Sequence, residues 1–421
     1  MRLPKIITTL QSYSWPIFIA DLFAGITVAM VALPLSLAIA IASGADPQKG
    51  LVTAIVAGFL ISALGGSRVQ IGGPTGAFIV VVFNVIVTHG YDGLVLATLM
   101  AGIILLIAGY FRAGNLISFV PEAVVNGFTI GIGIIIAASQ LQDFLGLSVS
   151  DVPAEFLQKF PALWEVRDTL NWAAVGIALV TLVLIVVLRR LAPRFPGLIV
   201  AVGLGSGLVV WMGLPVDTLG ARFGELPSQL PWPQLPDVSL PRLVELLPSA
   251  FVIAFLAGVE SLLSAMVADK MIEGQHRPNA ELSAQGAANI ASALFMGLPA
   301  TGAIARTATN VKAGGKTPVA GIVHAIVILL VMLFAAPLAS YLAMPALAAL
   351  LILTAWNMTE PHKWKQHARG RKSDIFLLVL TLVLTVIVDL TVAIGVGVSI
   401  GFALRLSRRK SIESDWTPPD R

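Results

Sequence analysis

Fourteen hydrophobic segments separated by polar breaks make up most of the chain, at roughly 22–42, 51–65, 73–88, 94–110, 122–140, 172–188, 197–213, 249–268, 283–297, 301–313, 318–336, 338–355, 374–388 and 390–404. One stretch breaks the pattern: residues 214–247 are polar and carry Pro215, Pro227, Pro231, Pro233, Pro236 and Pro241, so a continuous helix is not expected there. Seven segments precede this linker and seven follow it. An odd number in each half forces the second half to enter a membrane in the opposite orientation. The predicted fold is therefore an all-α polytopic membrane protein with fourteen transmembrane segments arranged as a 7+7 inverted repeat. Its predicted parts are a first repeat at 1–213 (spans 1–7), an extracellular linker at 214–247, a second repeat at 248–404 (spans 8–14) and a basic cytoplasmic tail at 405–421.

Two of the segments are too short to cross a bilayer. IGGPTGAFIV (71–80) and MGLPATGAIA (296–305) repeat one Gly/Pro/Thr/Gly/Ala pattern about 225 residues apart, and each opens a hydrophobic run. Those runs, Pro74 to Thr88 and Thr301 to Ala313, reach only about 20 Å into a hydrocarbon core roughly 30 Å thick. Matched short spans in two halves point to a transporter binding site, so spans 3 and 10 are predicted half-helices opened by extended backbone. Pro34 precedes Pro74 by 40 residues and Glu260 precedes Pro299 by 39, which gives the first and eighth spans equivalent places. The mildly acidic loop from Gln142 to Asn171, with Asp143, Asp151, Glu155, Glu165 and Asp168, is expected to lie along the membrane surface.

Composition agrees: 57% of the 421 residues are hydrophobic and 12% charged, with a mean hydropathy of +0.89, which excludes a soluble domain. With no cysteine there is no disulfide, thiolate metal site or cysteine nucleophile to consider. The stretch Leu22 to Ala42 is too long for a signal peptide and too many spans follow it, so it is read as a retained first span. The formal charge of +4 reflects topology rather than a nucleic-acid face. With both termini inside, the cytoplasmic segments collect Arg2, Lys5, Arg68, Arg112, Arg189, Arg190, Arg194, Lys270, Arg277, Lys312, Lys316, the cluster Lys363–Lys372 and Arg405–Lys410. The outer segments hold Lys49, Lys159, Arg167, Arg222 and Arg242. A multi-pass protein of a bacterial-type inner membrane, with cytoplasmic termini, is expected.

Half-helices whose N-termini meet near the midplane would create an electropositive pocket between Thr75, Gly76, Ala77 and Thr301, Gly302, Ala303. Such a pocket suits a small inorganic anion. Arg306 lies one turn into the second short helix, where a guanidinium without a partner is expensive in hydrocarbon, and an anionic substrate or a bond to Glu260 would explain it. Glu260, in AFLAGVESLLSAMVA, is read as the only acidic residue deep in the membrane. It marks cation coupling by a proton or sodium, with Ser264 one turn later as ligand or relay. Asp21 and Asp389 precede hydrophobic runs and are expected to cap helices. His324, Asn84, Asn126, Gln285 and Asn289 are expected to be satisfied interhelical hydrogen-bonders. There is no Walker A loop, paired catalytic carboxylates or Ser/His/Asp set, so the chain is read as a non-enzyme without a cofactor.

At these residues the chain closely resembles the SulP family, the bacterial and plant sulfate permeases related to the animal multifunctional anion exchangers and prestin. ALPLSLAIAIASGADPQKGL resembles the family's Leu-Pro segment followed by Pro-x-x-Gly-Leu, and GGSRVQIGGPTGAF its signature before span 3. ESLLSA in span 8 and GLPATGAIARTATNVKAGGKTPVAG across spans 10 and 11 complete the pattern. The resemblance implies a mobile core domain of spans 1–4 and 8–11, a gate domain of spans 5–7 and 12–14, and an anion held between spans 3 and 10. It also implies elevator-like alternating access and a homodimer. Arg306 matches the family's span-10 arginine and Glu260 its span-8 acidic coupling position. Leu35 stands where many relatives carry a glutamine, which makes that wall of the pocket less polar. Family members usually continue into a cytoplasmic STAS domain, whereas the sequence stops at Arg421: either it is a piece of a longer chain or the protein lacks that domain.

The function expected from the sequence is secondary active transport of a small inorganic oxyanion, sulfate before bicarbonate, by proton- or sodium-coupled symport. Uncoupled exchange, an anion channel, or a scaffold that senses voltage or anions without transporting them are the alternatives. The partners expected are the anion, the lipid bilayer and a second copy of the chain, not nucleic acid.

Overall fold

The computed structural model describes residues 3–117, 121–149, 156–191, 196–388 and 390–407. Arg2, Asp151, Glu155, Arg194, Asp389 and the tail from residue 408 onward, all named above, lie outside the described residues. The principal helices are α1 (Trp15–Ala42), α2 (Pro47–Leu64), α3 (Ile79–Tyr110), α4 (Glu122–Ser139), α5 (Phe156–Glu165), α6 (Trp172–Leu191) and α7 (Gly197–Met212). After the proline-rich stretch come α8 (Leu240–Ile272), α9 (Pro278–Leu294), α10 (Ile304–Lys312), α11 (Val319–Ala339), α12 (Met344–Met358), α13 (Lys372–Ile387) and α14 (Leu390–Ser407). Two strands of two residues each, β1 (Gly72–Gly73) and β2 (Thr301–Gly302), pair antiparallel.

Among the described residues, seven helices are long and apolar enough to cross a membrane by themselves, against fourteen predicted segments. The difference has physical causes. α7 and α12 have only 16 and 15 residues, and α10 has nine. The predicted segments 73–88 and 94–110 run together as α3 and are separated only by Gly90, whose φ of 72° breaks the helix without a loop. In the linker, α8 begins at Leu240, seven residues before the predicted end of the non-helical stretch. Pro241 sits in its first turn, where a missing N–H leaves nothing unpaired, and Pro248 lies inside the helix.

The helices pack in two groups. α3 lies against α8 and α9, and α11 lies against α1 and α2, so each half of the chain embraces the opening helices of the other. α4, α6, α7, α12, α13 and α14 pack chiefly among themselves, with α13 on α4 and α12 on α4 and α6. Helices that pass through lipid gain little from burying one another's apolar faces, so close approach by small residues matters more. At the α3–α9 crossing, Gly102 faces Gly286, and a methyl on either would sit 2.7–2.8 Å from the other's carbonyl oxygen.

Asp21 is not the cap of its own helix. It lies within α1, fully buried, and accepts hydrogen bonds from Lys316 N (2.7 Å), Thr317 N (3.1 Å) and Thr317 Oγ1 (2.5 Å). The carboxylate caps the turn that leads into α11, a partner nearly 300 positions away that hydrophobic patterning cannot reveal.

Candidate functional site

The two glycine-proline-threonine segments meet. Gly72 pairs with Gly302 and Gly73 with Thr301, so the extended backbone ahead of each short helix finds its partner in the other. Extended backbone between apolar helices survives only when its polar groups are satisfied by protein. Neighbouring groups pair as well, with Ala303 N donating to Ile71 O (2.8 Å), Asn310 Nδ2 to Val69 O (2.8 Å) and Asn289 Nδ2 to Ala300 O (2.9 Å). Glycine is required along the bridge. A Cβ at Gly73, whose φ is 148°, would fall on Arg306 Nη1, and one at Gly302 would fall on the Gln70 amide.

The helices start slightly later than predicted. Thr75 is still extended, Gly76–Phe78 form a 3₁₀ turn that leads into α3, and Ala303 is the extended residue that opens α10. Gly76 faces the second helix group, since a methyl there would lie 3.1 Å from Met358 Sδ of α12 and 3.3 Å from Ile136 Cδ1 of α4. The two matched threonines differ in role. Thr75 donates to Glu260 Oε2 (2.9 Å), whereas Thr301, fully buried, donates to the α8 carbonyl of Ala257 (2.9 Å). Ala77 is buried, and Leu35 packs beside Pro34 in the apolar core.

Arg306 is 1% exposed, and its Nη2 donates to the carbonyl of Pro74, which ties α10 to the opening of the other short helix. Its Nε and Nη1 have no hydrogen-bond partner among the described residues, and no carboxylate oxygen stands within 4.0 Å. The bond to Glu260 weighed from the sequence is therefore not made here. Ser264 is fully buried with its Oγ 3.2 Å from Thr307 Oγ1, which in turn accepts from Ile71 N (3.1 Å). It thus leans toward α10 rather than toward Glu260.

Glu260 is half-buried, and two acidic residues lie deeper among these helices, Asp21 and Glu281. Glu281, in the first turn of α9, has no exposed surface and accepts from Gly66 N (2.8 Å), Ser67 N (3.2 Å), Gln70 Nε2 (2.9 Å), Ser261 Oγ (3.0 Å) and Gln285 Nε2 (3.0 Å). Sequence reading missed it because a carboxylate in a first helical turn is ordinarily a solvated partner of the helix dipole. Asn289 is satisfied as expected, whereas Gln285 is satisfied only in part: its Nε2 donates to Ser261 Oγ and Glu281 Oε1, but its buried Oε1 has no partner among the described residues. His324 is not: it is fully buried, and neither ring nitrogen has a partner among the described residues. Asn84 is exposed, and Asn126 lines a cavity of about 390 Å³ between α4, α13 and α14. A second cavity, of about 290 Å³, reaches Ile79 and Val80, one turn beyond Gly76. Among the described residues no three metal-ligating side chains cluster.

Residues 18–381 match the sulfate permease family. YvdB of Bacillus subtilis (strain 168), which carries a provisional sulfate-transporter name, is 43% identical over 372 residues, covering 88% of this chain and 70% of that protein. The bicarbonate transporter BicA of Picosynechococcus sp. (strain ATCC 27264 / PCC 7002 / PR-6) is 32% identical over 342 residues. That match takes in 78% of this chain but 60% of BicA, so the chain spans less than two thirds of that relative's length. The solved transmembrane domain of a cyanobacterial BicA superposes with a TM-score of 0.81 at 31% identity, over 91% of this chain and 99% of that domain. Murine Slc26a9, an anion transporter solved in an inward-facing state, shares the fold at 19% identity, with a TM-score of 0.86 over 97% of this chain and 72% of its own.

Proposed function

Since this chain belongs to the sulfate permease family, we propose that it is a secondary active transporter of a small inorganic oxyanion, sulfate first and bicarbonate second. The observation that carries this reading is the β1–β2 pairing, which gathers Thr75, Gly76, Ala77, Thr301, Gly302 and Ala303 with Arg306 and Glu260 around one short stretch of backbone. The anion sits at the openings of α3 and α10, and the two free nitrogens of Arg306 turn to it. Leu35 supplies an apolar wall.

Transport follows an elevator in the fourteen-span, 7+7 inverted-repeat scheme. The core group of α1–α3 and α8–α11 carries the anion past a gate group of α4, α6, α7 and α12–α14, and the exchanged packing of α3 on α8 and α9 with α11 on α1 and α2 supports that division. Glu260 binds the coupling ion. A sodium ion needs several oxygens, and Ser264 is held by Thr307, so the arrangement weighs toward a proton. The chain works in a cell membrane with both termini cytoplasmic and as a homodimer.

Uptake of radiolabelled sulfate and bicarbonate into proteoliposomes, under separately imposed proton and sodium gradients, tests this reading. Gradient-driven accumulation of one anion, lost in Arg306→Ala, is the expected result. Uptake indifferent to both gradients would replace symport by exchange or a channel, and charge displacement without uptake would indicate a sensing scaffold.

A further inference from the structure

Helix α5 lies outside the spans that are long and apolar enough to cross a membrane, and packs on α4 and α13. Its apolar Leu157, Phe160 and Trp164 are exposed, while Lys159 and Leu163, four residues apart, form its buried face. A lysine on the buried face of a surface helix is unusual, because its ammonium ordinarily reaches for water or a carboxylate. Lys159 is 5% exposed and does neither. Among the described residues it has no hydrogen bond and no carboxylate within 4.0 Å, and Nζ stands 5.6 Å from the Phe83 ring centre on α3.

The ammonium lines the 290 Å³ cavity between the end of α1, the short-helix part of α3 and α4. Two other charges on the wall cancel, since Arg222 pairs with Asp143 (2.8 Å) and also reaches Asp217 (3.2 Å). Asp46, at the exposed rim, is balanced by the nearby charge of Lys49. Lys159 is thus the cavity cation whose charge nothing in the described wall offsets. Burial pushes its ammonium below the ordinary lysine value, which an adjacent anion would reverse.

We propose that Lys159 and this cavity form a second anion site, a capture point for a small inorganic oxyanion one helical turn short of Gly76. The site rests on the anion-transport reading for the identity of its ligand. It spans the boundary that an elevator would open, because α5 is seated on α4 and α13 while Phe83 belongs to α3. An anion held there waits beside the path to Arg306, at the face toward which the short-helix part of α3 runs.

The absence of cysteine allows a test independent of transport. Asn84→Cys, at an exposed cavity position, is treated with an anionic or a cationic methanethiosulfonate, with Lys159 intact or as Lys159→Met. With Lys159 intact the anionic reagent is expected to react roughly tenfold faster relative to the cationic one than in the Met variant, and sulfate is expected to slow labelling only with Lys159 intact. In proteoliposomes, Lys159→Met should raise KM about tenfold with kcat little changed, and Lys159→Arg should restore it. Equal reagent ratios in the two backgrounds overturn the capture site. A Lys159-dependent ratio and sulfate protection, in a protein that neither takes up nor exchanges labelled anion, support the capture site and overturn the transport reading alone.

Discussion

Thr75 donates its hydroxyl hydrogen to Glu260 Oε2 across 2.9 Å, which joins the opening of the first short helix to the middle of α8. This is the one hydrogen bond among the described residues that links the glycine-proline-threonine motif to the candidate coupling carboxylate. When Glu260 takes up a proton or sodium ion its charge changes directly beside Thr75, at the point where the anion would bind. Ion and anion then need no intermediary to sense each other.

Glu260→Gln keeps the shape and an oxygen for Thr75 but removes the charge. Gradient-driven accumulation should fall to the equilibrium level, while exchange of labelled for unlabelled anion continues. Accumulation that remained gradient-dependent in the variant would remove Glu260 from the coupling step.

Arg306→Lys keeps a positive charge but not the planar fork that reaches Pro74 and leaves two nitrogens free. Loss of one charge-assisted bond corresponds to about 1.5–3 kcal/mol, so anion KM should rise roughly ten- to a hundredfold. Arg306→Ala should abolish uptake. A lysine variant with wild-type KM would mean that only net charge matters at this site.

Gly302→Ala and Gly76→Ala add the same methyl to two openings but meet different neighbours. At Gly302 it displaces the Gln70 amide, which is bonded to Ser261 (2.7 Å) and Glu281 (2.9 Å). At Gly76 it meets the flexible thioether of Met358. Anion binding, followed by calorimetry, should be lost in the first variant and only weakened in the second.

Glu281→Gln places an amide donor among five groups that donate to the carboxylate. The expected destabilisation is about 3 kcal/mol, read as a lower thermal midpoint in detergent. An unchanged midpoint would show that the five donors do not depend on a second acceptor oxygen at this position.

The capture site should also depend on pH. Lys159 binds an anion while protonated, and burial lowers its pKa from the ordinary 10.5. Affinity should therefore be full at pH values below the lowered pKa and fall as pH rises through it. The other charged groups that face the same cavity are Asp46, Asp143 and Arg222. KM measured from about pH 7 to about pH 10 should climb in the wild type and stay flat in Lys159→Arg. A flat wild-type profile would contradict the assignment.

Hydrophobic run length, the matched Gly/Pro/Thr/Gly/Ala motifs and an arginine in an apolar setting were enough to specify a helical membrane protein and to single out Arg306 and Glu260. Run length reports the cost of exposing backbone to lipid, and a lone charge stands out against an apolar background, so both are written locally in the chain. Which group satisfies which was decided only in three dimensions. Asp21 turned out to cap α11, Glu281 gathers five donors, Ser264 leans to Thr307, and Arg306 binds the Pro74 carbonyl instead of Glu260. Hydrogen bonds are short and directional, and their partners here are often more than two hundred residues apart. The pairing of Gly72–Gly73 with Thr301–Gly302 is the clearest case: the sequence declares that the two motifs match, and only the packing of α3 on α8 and α9 and of α11 on α1 and α2 brings them into register.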